Sequence, residues 1–263
     1  MTPADTVRAA RSPRVVKLFG RYMCRYAARR FHGVRLARGT LPSLPPDRPV
    51  IVYSNHPSWW DPAMFIVLAT LRFPDRDGYG PMEASALRQY GFMRRIGIFG
   101  IETDNPRGAA AFLKISGGLL EDARTMLWIT AEGGFTDARA RPVRLRPGLA
   151  HLVRRVPAAV VVPLALEYPF WDERTPEALC RFGTPLYSGT GTGTVEEWNG
   201  RLEAALTDTM DRLAADGMSR DPARFEPLVS GEAGVGGVYD LWRRAKALVR
   251  GERFQPQHGR ERS

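Results

Sequence analysis

The residues best suited to chemistry fall in one short stretch, Ser54-Asn55-His56-Pro57-Ser58-Trp59-Trp60-Asp61-Pro62. A histidine is followed five positions later by an aspartate. A carboxylate bonded to one imidazole nitrogen fixes the tautomer and leaves the other nitrogen able to take a proton, which turns an unreactive hydroxyl into a nucleophile. The bare spacing is a weak signal. His56 would serve equally well as a turn residue, and Asp61 as a helix cap. Placement strengthens the functional reading, because the histidine directly follows an apolar run and sits in a turn marked by Asn55 and Pro57. A helix starting just beyond that turn brings Asp61 back toward the imidazole.

The elements that must hold this pair follow from patterning. Pro42, Pro45 and Pro46 break the chain, and Pro49-Val-Ile-Val-Tyr-Ser54 then reads as a buried strand. A helix is expected from near Trp59, a strand over 95–103 and a helix over 107–123. Met126–Thr130 and Ala159–Leu166 read as further buried strands, and Val195–Ala215 as a helix presenting Trp198, Leu202, Leu206 and Leu213. Strands alternating with helices imply an α/β fold, with a mixed, largely parallel sheet flanked by helices and working residues at strand ends. The expected organisation has three parts: a basic amphipathic segment over 1–40, an α/β domain over 41–220, and a basic helix (Val238–Val249) with a polar tail over 221–263.

Charge is uneven along the chain. The formal net charge is +10, and residues 1–50 hold eleven Arg or Lys against Asp5 and Asp47. Over 12–31, Val15, Leu18, Phe19, Tyr22, Met23 and Tyr26 recur at helical spacing beside Arg14, Lys17, Arg21 and Arg25. Such a helix suits an anionic membrane surface; it equally suits packing on the domain with its basic side solvated. No apolar run reaches 18 residues, so a transmembrane helix is not expected. Two cysteines, Cys24 and Cys180, are too few for a disulfide framework, and no metal-ligand spacing occurs. Without a secretory leader, a reducing cytoplasm is the expected compartment.

Other candidate chemistry is thin. Ser116 lies in a helical stretch and lacks the first glycine of a nucleophile elbow, with Lys114 in its place. Gly189-Thr-Gly-Thr-Gly193 resembles a phosphate loop by composition alone and reads as a surface loop. His32, His151 and His258 lack partners at ligand spacing. No nucleic-acid-binding motif is present, and the aromatics follow the apolar pattern, so nucleic acid is not an expected partner.

Asn55-His56-x-Ser58-x-x-Asp61 resembles the first signature block of the glycerolipid acyltransferase superfamily, which includes the lysophosphatidic acid acyltransferases. Gly97–Asn105 is similar to its second block, Ala131-Glu132-Gly133 to its third, and Val162-Pro163-Leu-Ala-Leu166 to its fourth. The resemblance implies a general base at His56 and an orienting carboxylate at Asp61. It implies acceptor positioning by Glu132 and Gly133, with turn or oxyanion roles for Asn55 and Ser58. The implied co-substrate is acyl-CoA or acyl carrier protein, with no tightly bound cofactor and no metal. The protein would then sit peripherally on the cytoplasmic face of the membrane.

The family's second and third blocks usually carry arginines for the acceptor's phosphate, where this chain has Thr103 and Phe135. Arg107 is the first candidate to replace them, with Arg139, Arg141, Arg144 and Arg146 as others. The simplest acceptor is a lysophospholipid such as lysophosphatidic acid. A non-phosphorylated membrane hydroxyl, such as a glycosylated carotenoid, is the alternative, and a non-catalytic basic membrane-binding protein is the rival of a different class.

Overall fold

A computed structural model describes residues 1–103, 105–189 and 193–231. The chain opens with helices α1 (Pro3–Ala10) and α2 (Pro13–Arg30), then β1 (Gly33–Ala37) and β2 (Val50–Ser54). There follow α3 (Asp61–Arg72), β3 (Asp77–Glu83), α4 (Ala84–Gln89), a 3-10 turn over Gly91–Ile96 and β4 (Ile98–Ile101). Next come α5 (Pro106–Leu119), β5 (Thr125–Thr130), α6 (Gly148–Arg155) and β6 (Val160–Glu167). The last described elements are β7 (Glu177–Phe182), β8 (Leu186–Tyr187), α7 (Val195–Met218) and β9 (Phe225–Ser230). The structure is thus an α/β fold with a helical N-terminal segment, as the sequence led one to expect.

One nine-stranded sheet runs β4-β3-β5-β2-β6-β7-β1-β9, with β8 beside β6. Strands β4, β3, β5, β2 and β6 are mutually parallel, while β7 turns antiparallel to β6. In the centre, Ser54 of β2 stands opposite Thr130 of β5 and Leu164 of β6. The carboxyl ends of β2, β5 and β6 therefore open on one edge, where parallel α/β sheets place their sites.

Helices cover both faces, which is why β2, β5 and β6 read as unbroken apolar runs. Successive side chains of β2 alternate between two cores. Ile51 and Tyr53 pack with the layer of α5, α6 and α7, and Val50 and Val52 with the layer of α2 and α3. Tyr53 is fully buried, and its hydroxyl donates to the Leu202 carbonyl at 2.9 Å.

The N-terminal helices are docked on this frame. Ala4 of α1 is buried against α5, and Arg8 donates to the Gly118 carbonyl. Helix α2 turns Gly20, Met23 and Ala27 inward toward α3, and a side chain at Gly20 would collide with Thr70. The apolar stripe expected on α2 is therefore split. Met23 goes inside, while Leu18 (65% exposed) and Tyr22 (55%) face outward beside the arginines.

Three differences from expectation have simple physical causes. The stretch 95–103 is only partly strand, because Gly97 adopts φ +95° and ends the 3-10 turn before β4 begins. β1 and β9 pair with each other antiparallel in the main sheet, so that sheet extends beyond residues 41–220 on both sides. β3, with Gly78, Gly80 and Pro81, has little strand propensity of its own; β5 and β4 on either side hold it in register. The expected helix Val238–Val249 lies outside the described residues.

Candidate active site

The turn after β2 is anchored before it presents anything. The Asn55 side chain, 1% exposed, bridges to the end of β6: its Oδ1 accepts from the Leu166 N–H at 2.9 Å and its Nδ2 donates to the Leu166 carbonyl at 3.0 Å. Through these two bonds its amide acts as a clamp between neighbouring strands. His56 follows, with its side chain 16% exposed. The His56 carbonyl accepts from the Thr136 N–H at 3.0 Å, tying the turn to the segment after β5.

Asp61 is the first residue of α3 and is fully buried. Its carboxylate does not cap the helix; it turns back into the preceding loop. Oδ2 lies 2.6 Å from His56 Nδ1 and accepts the Ser58 N–H at 3.1 Å. Oδ1 accepts the Tyr168 hydroxyl at 2.6 Å. Ser58 holds the loop through its backbone N–H to Asp61 and through its hydroxyl, which accepts the Trp60 N–H at 3.2 Å. A buried carboxylate with three donors, at the positive end of a helix, is in an environment suited to an anion. Its contact with Nδ1 leaves Nε2 as the nitrogen able to accept a proton.

Glu132, at the end of β5, accepts the His56 backbone N–H at 2.6 Å. Burial raises its carboxyl above the usual range, a shift offset in part by that N–H. Gly133 adopts φ +76°, and the space a side chain would occupy there is filled by the stem of Arg146. Phe135, 66% exposed, lays its ring beside the His56 imidazole with centroids 4.4 Å apart. Phe135, where the resemblance leads one to expect an arginine, therefore lies against the histidine.

Arg107 is exposed at the start of α5, after β4. β4 stands three strands from β2 in the sheet. Arg139 pairs with Asp137 and Arg141 with Asp211. A cavity of about 270 Å³ opens beside Asn55, with Leu166, Leu213 and Met218 as apolar lining and Glu167, Arg139 and Asp211 as polar lining. Burial raises the Glu167 carboxyl, which Arg139 partly offsets.

Sequence reading missed Tyr168 altogether; its only signal is its place two residues beyond the fourth block. Burial, then the charge of Asp61, hold the Tyr168 phenol protonated far above its ordinary range. Of the other expected side chains, Ser116 is buried within α5. His32 pairs with Glu177 at 2.6 Å, where Arg35 also binds. Trp59 and Trp60 diverge: Trp59 is 70% exposed, while Trp60 packs between Tyr26 and Phe31. Among the described residues, no cluster of three or more His, Cys, Asp or Glu is placed to hold a metal ion, and no helix is long and apolar enough to cross a membrane.

The acyltransferase family profile matches residues 35–167, just over half of the 263 residues, and the match contains the whole turn from Asn55 to Asp61. The chain belongs to the acyltransferase family. Among solved structures this acyltransferase is similar to the 1-acyl-sn-glycerophosphate (LPA) acyltransferase PlsC from Thermotoga maritima. The TM-score is 0.53 at 13% identity, covering 77% of this chain and 80% of that one. At that identity the likeness is one of fold. No curated protein gives a significant sequence match.

Proposed function

We propose that this acyltransferase moves a fatty acyl group from acyl-CoA or acyl carrier protein to a hydroxyl of a membrane lipid, with His56 as general base. The observation that carries the reading is the buried Asp61 carboxylate 2.6 Å from His56 Nδ1, at the carboxyl edge of the parallel strands. His56 Nε2 takes the proton as the acceptor oxygen attacks the thioester carbonyl. The imidazolium is stabilised by Asp61 and by the face of Phe135. The tetrahedral oxyanion needs hydrogen-bond donors from outside the turn, because the N–H groups of His56, Ser58 and Trp60 are already engaged within the site. As that intermediate collapses the carbon–sulfur bond breaks, and the thiolate recovers the proton from Nε2. Ester and thiol leave, and the base is regenerated.

The simplest acceptor is a lysophospholipid such as lysophosphatidic acid. Phe135 favours a second reading, a neutral hydroxyl lipid such as a glycosylated carotenoid, because an aromatic ring fills the position where the resemblance places a phosphate-binding arginine. The outward Leu18 and Tyr22 of α2, flanked by Arg14, Lys17, Arg21 and Arg25, support docking on an anionic membrane surface.

Purified protein is assayed for thiol release from palmitoyl-CoA, offered with lysophosphatidic acid or with a neutral monoacyl glycolipid. Turnover that His56→Ala abolishes, in a variant with unchanged melting temperature, is the expected result. Thiol release that survives His56→Ala refutes the base assignment. Efficient use of lysophosphatidic acid refutes the neutral-acceptor reading. Leu18→Glu/Tyr22→Glu is expected to lower co-sedimentation with anionic vesicles, and unchanged binding removes α2 from the docking surface.

A further inference from the structure

We infer that Tyr168 is a positioning residue of the acyl-transfer site: its hydroxyl fixes the Asp61 carboxylate and thereby sets the basicity of His56. The inference rests on the reading of His56 and Asp61 as the working pair.

The geometry is specific. Asp61 is fully buried, and each of its oxygens has its own donors. Oδ2 serves His56 and the Ser58 N–H, whereas Oδ1 is held by Tyr168 at 2.6 Å. The phenol therefore draws off part of the carboxylate charge and prevents rotation about the Cβ–Cγ bond that would lengthen the contact with His56. Tyr168 follows β6, the immediate neighbour of β2, so the phenol reaches the carboxylate across one strand boundary.

Tyr168 is itself braced from the N-terminal helix. Phe31, at the end of α2 and 2% exposed, packs on the Tyr168 ring at 5.7 Å and edge-on against Trp60 at 4.9 Å. Trp60 is the residue immediately before Asp61, and Tyr26 of α2 contacts it at 5.5 Å. The carboxylate is thus fixed from both sides by aromatic groups leaning on α2, and through them it is connected to the helix that carries Leu18 and Tyr22.

The other ionisable groups around the pair are few. Glu132, after β5, binds the His56 backbone N–H, and His56 and Asp61 both act on its carboxyl. Arg141 acts on Glu132 from the following loop. Cys180 on β7 is buried and remains a neutral thiol, kept so by burial first and by Asp61 second. None of these donates to Asp61 Oδ1, so removal of the phenolic O–H leaves that oxygen without its donor.

Tyr168→Phe retains the ring and its packing on Phe31 and deletes only the O–H. The freed charge on Asp61 then stabilises the imidazolium more strongly, so the His56 titration midpoint moves up relative to wild type. A rise of about half a unit to one unit is expected, a three- to tenfold change in the protonation constant. The midpoint is read by NMR on the full chain, with the His56 resonances assigned by their loss in His56→Ala. Phe31→Leu controls for packing: it loosens the brace but keeps the phenol, and its midpoint stays with wild type. An unchanged midpoint in Tyr168→Phe, or an equal shift in Phe31→Leu, overturns the assignment. Should Tyr168→Phe not fold, Tyr168→Met, which likewise carries no donor, is titrated in the same way, and a midpoint that stays at the wild-type value overturns it. The titration requires no turnover, so absence of thiol release from wild type would count against acyl transfer alone. Where turnover is present, the acidic limb of kcat/KM shifts with the midpoint and KM does not.

Discussion

Replacing Asp61 by asparagine removes one charge and almost nothing else. The amide has the same shape, and its oxygen can still accept from His56 Nδ1 and the Ser58 N–H while its nitrogen turns to Tyr168, whose hydroxyl rotates to accept. What disappears is the anion 2.6 Å from the ring that becomes positive during the reaction. With charge centres about 4 Å apart and an effective dielectric near 20, that attraction is worth roughly 4 kcal/mol. Part of it is recovered by the polar amide and by water at the open side of His56, so a loss of about 3–4 kcal/mol in transition-state stabilisation is expected. At 1.36 kcal/mol per decade this lowers kcat by roughly 10²–10³-fold. Folding stability changes far less, because relief of carboxylate desolvation offsets the weaker hydrogen bonds. The assay is thiol release from palmitoyl-CoA with the preferred acceptor, at saturating concentrations of both. An Asp61→Asn enzyme within threefold of wild type, with unaltered melting, would show that His56 works without its carboxylate.

Other expectations follow from the loops around this pair. Asn55→Ala leaves the Leu166 N–H and carbonyl without their partner in a buried place, so unfolding free energy should drop by about 2–4 kcal/mol in urea titration. A loss of activity without that drop would point to a direct role in the reaction. Glu132 holds its proton to higher pH in the folded chain than at its ordinary 4.5, so the native state binds more protons there and stability falls as pH rises from that value. Glu132→Gln keeps an acceptor for the His56 N–H and escapes the fall; its melting temperature relative to wild type should climb from pH 4 upward, and a constant difference would contradict the burial argument. Gly133→Ala forces φ +76° on a residue with a side chain and displaces Arg146, so a loss of at least about 1 kcal/mol is expected from thermal melting.

The central part of the sheet was legible because its strands are buried on both faces. Val50–Tyr53, Met126–Ile129 and Val160–Leu166 are apolar at nearly every position, and no helix at those places would have the right length. His56 and Asp61 were legible by local logic: the histidine ends a strand, and the aspartate starts the next helix. The remainder of the site depends on contacts that local pattern does not encode. Tyr168 is 107 residues from Asp61 in sequence, and Glu132 is 76 residues from His56. Glu132 was read as a substrate group, yet its carboxylate is turned to the His56 backbone. β1 was hidden because Arg35 continues a basic run; it is accommodated in the sheet only because Glu177, on the neighbouring strand, meets its guanidinium.

That edge pairing has a consequence for how the chain is made. β1 bonds to β7, with Gly33 opposite Glu177, and to β9, with Gly33 opposite Ser230. At ordinary synthesis rates of about 5–20 residues per second, roughly 7–28 seconds separate the emergence of β1 from that of its first partner, and β9 arrives later still. Helix α2, immediately upstream, can meet α3 and the 3-10 turn within that interval. The strand to which α2 leads, β1, nevertheless waits for both of its sheet partners, so the N-terminal layer is the last to be locked to the sheet.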